Sequence, residues 1–96
     1  MKIKVEFFAI LREVLDISSM EIECEGTTIE DVLNLLLERF GSILENIIFE
    51  GRRLKDMVKI LLNGKDIRGL NDIKTELKDG DCISIFPPIA GGWNIS

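Results

Sequence analysis

The chain has 96 residues, of which 46% are hydrophobic and 30% are charged, and its formal net charge is −5 at pH 7. This length suits one domain, and no apolar run is long enough to span a membrane, so we expect a soluble globular protein. The acidic balance disfavours a nucleic acid or an anionic membrane as a partner and favours a basic protein surface. Charged residues interrupt the N-terminal apolar segment, so we expect no signal peptide and a cytoplasmic location.

Two N-terminal segments predict half-buried β-strands. In MKIKVEFF, apolar residues alternate with charged ones until Phe8 breaks the pattern, and the buried face would hold Ile3, Val5 and Phe7. SMEIECE repeats the alternation with Met20, Ile22 and Cys24. We therefore predict two strands joined by a loop or a short helix, with Cys24 as a small core residue.

The segment GTTIEDVLNLLLERFG predicts the main helix. Thr28 is the expected N-cap, because its hydroxyl can accept a hydrogen bond from the backbone of Asp31, three residues later. Glu30 adds negative charge to the first turn, and Gly41 is expected to end the helix. The apolar stripe of this helix is wide enough to cover a small sheet and is interpreted as core: Ile29, Val32, Leu33, Leu36 and Phe40.

The second half of the chain predicts three more strands. Residues 42–56 have no regular period and are expected to form a loop with one short helix. MVKILLNGKDI predicts a strand, a tight turn at Asn63-Gly64 and a short return strand, and LKDGDCISIF predicts a turn at Asp79-Gly80 before a last strand. One main helix packed against one mixed sheet of four to five strands is an α+β two-layer domain.

The last strand also predicts an exposed aromatic patch. Ile83 and Ile85 are expected to face the helix, which leaves Phe86 on the opposite face with Cys82 and Ser84. Because one helix covers only one face of a sheet, Phe8 and Phe86 are expected to lie together on the open face. Such a patch would mark a protein interface. The alternative is that the surrounding loops shield each ring.

The residue types exclude several kinds of catalytic site. The chain has no histidine and no tyrosine, so the commonest general base is absent. It has no glycine-rich phosphate loop, and its two cysteines cannot form a zinc site, so no metal or bound cofactor is expected. Cys82 is the one nucleophile worth naming, but it has neither a neighbouring histidine nor a helix N-terminus to activate it. We therefore expect two reduced, structural cysteines and a chain that is bound or acted upon.

The C-terminal segment FPPIAGGWNIS predicts an arm. Pro87 and Pro88 fix φ and remove two N–H donors, so the chain should leave the sheet there. Six residues from Pro87 to Gly92 reach roughly 20 Å at full extension. Gly91 and Gly92 lack Cβ atoms and let another enzyme's groups approach the backbone closely. A frayed terminus explains the same residues equally well.

Three segments resemble the MoaD branch of the MoaD/ThiS sulfur-carrier family: KVEFFAILRE, LLNGKDI and LKDGDCISIFPPIAGG. The resemblance runs from Met1 to Gly92, and its most specific part is the C-terminal element. It implies the ubiquitin-like β-grasp fold, with a domain over residues 1–92 whose arm comprises residues 87–92. The FPP motif before the glycines resembles the small subunit of molybdopterin synthase more than the thiamine-pathway carriers.

The resemblance implies a mechanism that needs no catalytic side chain in this chain, which would be the sulfur-donating subunit of a sulfurtransferase. A ubiquitin-activating-type enzyme of the MoeB/ThiF kind would adenylylate the carboxylate of Gly92 with ATP, and a sulfur donor would convert it to a thiocarboxylate. Gly91 would give clearance. The sulfur would then be delivered inside a MoaE-like large subunit of molybdopterin synthase, for the molybdenum or tungsten cofactor. The partner-binding residues would be Phe8, Phe86, Pro87, Pro88, Ile89 and Ala90.

Residues 93–96 depart from the family pattern, because carriers of this family end at the two glycines. While these residues remain, Gly92 has no free carboxylate, and Trp93 is too large for a channel shaped around glycine. A precursor whose tail a protease removes is the favoured interpretation; a diverged paralogue and an extension from an altered reading frame are the alternatives. Three functions stay open: a sulfur carrier, a ubiquitin-like modifier joined to lysines through Gly92, and a non-activated binding module.

Overall fold

A computed structural model describes residues 1–88; residues 89–96 lie outside the described part. Strands and helices do not alternate regularly along the chain, since four short strands follow one another between residues 49 and 66, as in an α+β domain rather than a repeated βαβ fold. The strands are β1 (Lys2–Phe7), β2 (Ser19–Glu23), β3 (Phe49–Glu50), β4 (Arg53–Leu54), β5 (Lys59–Leu62), β6 (Lys65–Asp66) and β7 (Cys82–Phe86). The helices are α1 (Ile10–Leu15), α2 (Ile29–Phe40) and α3 (Ser42–Ile48), and two 3-10 turns cover Ile67–Gly69 and Asp72–Lys74.

Five strands form one mixed sheet in the order β2-β1-β7-β5-β6. β1 and β7 are parallel, whereas β1–β2, β5–β7 and β5–β6 are antiparallel. The last strand therefore occupies the centre of the sheet, beside the first. This arrangement confirms the predicted α+β class and the mixed sheet.

The core lies between the sheet and the helices, and it contains the residues that the alternation predicted. Ile3, Val5 and Phe7 are fully buried, as are Ile83 and Ile85 on β7. Cys24 is 2% exposed, which confirms it as a core residue. From α2 the core receives Ile29, Val32, Leu33 and Leu36, while Phe40 packs at its margin with its ring edge against Phe7.

The predicted cap of α2 is present. Thr28 Oγ1 accepts a hydrogen bond from the Asp31 N–H at 3.3 Å, and Asp31 Oδ2 accepts one from the Thr28 N–H at 3.1 Å. These two bonds satisfy backbone donors that the first helical turn leaves unpaired. Gly41, with φ of 65°, ends the helix, and its N–H donates to the carbonyl of Leu37.

The prediction for residues 42–56 was only partly right. The short helix exists as α3, but the remainder contains the β3–β4 hairpin rather than a loop. Its strands have two residues each, too few to show a period in the sequence, and the turn depends on the positive φ of Gly51. This hairpin forms a separate two-stranded sheet beside the main one.

The helices of residues 1–88 are short. None of them has both the length and the apolar character that a membrane-spanning helix requires.

Candidate functional site

The open face of the sheet carries a stacked aromatic pair. The rings of Phe8 and Phe86 lie with their centroids 4.3 Å apart and their planes within 9° of parallel, and both side chains are half-buried. The Arg12 guanidinium lies 5.5 Å from the centroid of the Phe8 ring, in a cation–π arrangement. The prediction that these two phenylalanines lie together is confirmed.

The parallel pairing of β1 with β7 positions this pair. Phe7 lies beside Ile85 in the register, so the next residue of each strand lies side by side on the opposite face. The Phe8 N–H donates to the carbonyl of Ile85 at 3.2 Å and holds the end of β1 against β7. Phe86 is the last residue of β7, so the aromatic pair marks the point where the chain leaves the sheet for Pro87.

Ala9 turns the chain away directly after Phe8. Its φ of 55° and ψ of −134° place a residue with a Cβ in a region that glycine normally occupies. Leu11 then donates to the carbonyl of Phe8, and Arg12 donates to that of Ala9, which starts α1. The ring of Phe8 is thus presented by a strained turn that the first helical bonds hold in place.

A polar group lies next to the aromatic pair on the same face. Glu6 accepts a hydrogen bond from Ser84 Oγ at 3.2 Å, and the Lys4 ammonium lies 3.6 Å from the Glu6 carboxylate. Partial burial, and next the negative charge of Glu6, raise the pKa of the neighbouring Cys82 thiol above 9.0. Cys82 is therefore protonated at neutral pH, in agreement with the prediction that it is not an activated nucleophile.

A groove of about 420 Å³ opens beside the aromatic pair. Its apolar part comes from Ala9, Met57, Val58, Phe86 and Pro87, and its polar part from Asp56, Lys59 and Arg68. The Arg68 guanidinium donates to the backbone carbonyls of Asp56 at 2.8 Å and Lys55 at 3.1 Å, which fixes the turn before β5. We call this cavity the Met57 groove.

The structure brings three of the predicted site residues into one corner. Phe8 and Phe86 stack, and Pro87 lines the Met57 groove beside them. Pro87 is buried and Pro88 is half-buried, and β7 ends at Phe86 directly before them, so the sheet ends where the two prolines predicted. The other predicted residues, Ile89, Ala90, Gly91 and Gly92, lie outside the described residues, and the 93–96 extension does too.

Sequence reasoning missed Met57 and Arg68. Met57 was assigned to the strand that follows, but it lies in a turn with 59% of its surface exposed, and β5 begins at Lys59. The contact of Arg68 with the backbone of residues 55 and 56 joins segments that no local pattern relates. The one available signal was an apolar residue directly after the charged pair Lys55-Asp56.

Residues 1–88 hold no cluster of three or more metal-ligating side chains, and both cysteines there are free thiols. Neither observation identifies a catalytic centre within this part of the chain. What the arrangement does provide is a half-exposed aromatic pair at the exit of the central strand.

The five-stranded mixed sheet packed on α2, with its central strand leading to the aromatic corner, defines a ubiquitin-like β-grasp protein. Residues 5–92 match the ThiS family. Small archaeal modifier protein 3 of Haloferax volcanii is 36% identical over 93 residues, covering 96% of this chain and all of that protein. The molybdopterin synthase sulfur carrier subunit of Chlamydomonas reinhardtii is 31% identical over 96 residues, again covering 96% and 100%.

A solved structure is similar over the same extent. Small archaeal modifier protein 1 of Methanosarcina acetivorans has a TM-score of 0.81 and 34% identity, covering 95% of this chain and 96% of that one. The chain belongs to the ThiS family of sulfur carriers and ubiquitin-like small modifiers. The resemblance to the MoaD/ThiS carriers and the β-grasp fold are thus confirmed.

Proposed function

We propose that this chain is the sulfur carrier of a molybdopterin synthase-type reaction, with Gly92 as the residue that carries the sulfur. The observation that supports this proposal is the position of the stacked Phe8–Phe86 pair at the end of the central strand, directly before Pro87 and the Ile-Ala-Gly-Gly segment. The similarity to the Chlamydomonas sulfur carrier subunit over its whole length supports the assignment to the molybdenum or tungsten cofactor.

The proposed chemistry starts with removal of residues 93–96 by a protease, which frees the carboxylate of Gly92. A carboxylate is a poor electrophile, because its departing oxygen is a poor leaving group. An activating enzyme of the MoeB/ThiF kind transfers AMP from ATP to this carboxylate and releases pyrophosphate. A hydrosulfide ion from the sulfur donor then attacks the acyl carbon and displaces AMP, and loss of the sulfur-bound proton leaves a thiocarboxylate on Gly92.

The domain's part in this scheme is recognition. Phe8 and Phe86 present flat apolar area with few rotatable bonds, which is the kind of surface that concentrates binding energy in protein interfaces. Arg12 lies at the edge of that surface. A partner that covers the pair, whether the activating enzyme or a MoaE-like synthase subunit, receives the residues after Pro88 at its own active site. Gly91 and Gly92, which have no side chains, can then pass through a narrow channel of that partner.

The test compares two forms of the chain, one ending at Gly92 and one ending at Ser96. Each is incubated with ATP, the activating enzyme of the same organism and a sulfur donor, and intact mass is recorded. We expect the Gly92 form to gain the mass difference of one oxygen replaced by sulfur, and the Ser96 form to stay unchanged. A chain lacking Gly91 and Gly92 is the matched negative control. Failure of the Gly92 form to release pyrophosphate would contradict the carrier proposal.

A second candidate function is that of a protein modifier, and the 36% identity to a small archaeal modifier protein over its full length favours it. Activation is the same in both cases, but here a lysine amine of a target protein attacks the activated Gly92 and forms an isopeptide bond. Peptide mapping of cell extracts distinguishes the two functions. Because Lys78 is the last basic residue before Gly92, trypsin leaves residues 79–92 of this chain on a modified lysine. Lysines carrying this peptide support the modifier, whereas a thiocarboxylate without such adducts supports the carrier.

A further inference from the structure

The Met57 groove continues into a second cavity with a different chemical character. This second cavity, of about 250 Å³, is lined by Arg52, Arg53, Leu54, Asp72 and Ile73. Asp56 and Arg68 line both cavities and form the junction between them. The result is one continuous groove whose apolar end lies at Phe86 and Pro87 and whose other end lies at the β3–β4 hairpin. We call the second part the arginine end.

The arginine end concentrates positive charge, although the molecule as a whole is negatively charged. The chain has five arginines and a net charge of −5, with a sequence pI of about 4.7, yet three of those arginines meet at this one cavity. Arg52, Arg53 and Arg68 are all exposed. Within residues 1–88, none of the three forms an ion pair, because the cationic groups that do so are the N-terminus, Lys4 and Lys74.

Arg68 is fixed without being neutralised. Two of its N–H groups are used by the backbone carbonyls of Lys55 and Asp56, which orient the planar guanidinium but carry no formal charge. A guanidinium held in this way keeps its positive charge and loses little side-chain entropy when it binds an anion. The junction of the groove therefore presents a preoriented cation beside an apolar surface.

From this arrangement we infer that the groove binds an acidic segment of a partner protein, with one apolar side chain in the Met57 groove and carboxylates at the arginine end. Met57 is 59% exposed, and its unbranched thioether can adapt to different apolar side chains. A guanidinium group can donate two parallel hydrogen bonds to one carboxylate, and this geometry gives the arginine end its specificity. The net charge of the whole chain favours a basic partner surface, but this groove has the opposite preference.

A phosphate-bearing ligand fits the same groove poorly. Asp56 and Asp72 also line the arginine end, and they repel two negative charges held on one phosphate more strongly than single charges on separate carboxylates, which can pair with different arginines. A nucleic acid would in addition face the net negative charge of the chain at long range. The apolar half of the groove provides contact area for a side chain, which a phosphate backbone does not use. The inference rests on the groove and stands independently of the carrier chemistry.

The experiment is an NMR titration of the isotope-labelled full chain with two short peptides. One carries a leucine followed by three aspartates, and the other carries the same leucine followed by three asparagines, so the two differ only in charge. We expect the acidic peptide to shift the amide signals of Met57, Val58 and Lys59 together with those of Arg53 and Arg68. The neutral peptide should bind about tenfold more weakly, because it lacks the charged contacts.

Variants make the result specific to the groove. Arg52→Glu should weaken binding of the acidic peptide about fivefold to tenfold. Lys78→Glu makes the same change in net charge on an exposed residue outside the groove and should alter the affinity less than twofold. Met57→Ser tests the apolar end and should weaken the binding of both peptides. If Arg52→Glu disturbs the signals of α2, Arg53→Glu takes its place, with the same change in net charge.

Three outcomes would overturn the inference. Equal weakening by Arg52→Glu and Lys78→Glu would show that only net charge attracts the peptide. Shifts confined to the face of Lys4, Glu6 and Ser84 would place the peptide elsewhere. The third outcome compares the full chain with a chain ending at Pro88, before any peptide is added. If the amide signals of the groove differ between the two, the residues after Pro88 occupy the groove.

Discussion

Phe8 directly follows the first strand of the sequence and Phe86 ends the last one, yet their rings stack with centroids 4.3 Å apart. The pair is half-buried rather than enclosed, in contrast to Phe7, which is fully buried one residue earlier. Adjacent phenylalanines in the sequence therefore have opposite roles. Phe7 holds the core, and Phe8 contributes to a surface.

This contrast predicts different costs for two substitutions. Phe86→Glu should lower the free energy of unfolding by about 2 kcal/mol, since it removes one stacked, half-buried ring. Phe7→Ala should cost about 3–5 kcal/mol, because it leaves a cavity in the core. Urea denaturation measures both. In binding assays with an activating enzyme or synthase subunit, Phe86→Glu should weaken affinity at least tenfold. A stability loss equal to that of Phe7→Ala would show that Phe86 is a core residue.

Gly26 should not tolerate a side chain. A Cβ at this position would lie 2.3 Å from the carboxyl carbon of Asp31, whose Oδ2 accepts hydrogen bonds from the N–H groups of Thr27 and Thr28. Moving Asp31 aside breaks the capping box, so Gly26→Ala should lower the free energy of unfolding by about 1–2 kcal/mol. The matched control is Gly69→Ala, where a Cβ meets no atom within 4 Å. Thermal denaturation should show a lower Tm for Gly26→Ala alone; equal Tm values for both variants would contradict the close contact.

Replacing Ala9 with glycine should stabilise the protein. Its φ of 55° and ψ of −134° are unfavourable for a residue with a Cβ, and relief of this strain exceeds the extra chain entropy that glycine loses on folding. Ala9→Gly should raise the free energy of unfolding by about 1 kcal/mol. Ser18→Gly, at an exposed position without positive φ, should lower it slightly. A destabilised Ala9→Gly variant would show that the turn carries no such strain.

The stability of the chain should depend on pH through Asp31. Hydrogen bonds from the backbone of Thr28 and Thr27 hold its pKa below the ordinary value of 3.8. Its charged form therefore stabilises the folded state at pH values above 3.8, and this contribution is lost as the pH falls through the lower pKa of the folded state. In urea titrations over this acidic range, Asp31→Asn should remove that component of the pH dependence. Glu38→Gln, at an exposed position of the same helix, should leave it unchanged.

Cys82 should react slowly with iodoacetamide at neutral pH. Burial and the charge of Glu6 raise its pKa above 9.0, so the thiolate fraction is small and grows only as the pH passes that value. Glu6→Gln removes the negative charge, lowers the pKa and should speed alkylation severalfold. Measurements in a Cys24→Ser background assign the reaction to Cys82. A slower reaction in Glu6→Gln would mean that Glu6 activates the thiol instead.

Local patterns were sufficient for the elements whose structure depends on neighbouring residues. The alternation of β1 and the Thr28–Asp31 cap each involve residues a few positions apart, and both are present as predicted. The β3–β4 hairpin was missed because two-residue strands have no period. The Met57 groove was missed because Arg68 contacts residues 12 and 13 positions away. The aromatic pair was predicted because both residues break or end a clear alternation, although only the sheet topology explains why they stack.

The central position of β7 also determines how the molecule bears force. β7 is bonded to β1 on one side and to β5 on the other, so tension applied beyond Pro88 acts along both rows of hydrogen bonds together. Bonds loaded in parallel must break at the same time, whereas an edge strand would be peeled away one bond after another. We therefore expect a pull on the residues after Pro88 to be resisted by β1 and β5 together.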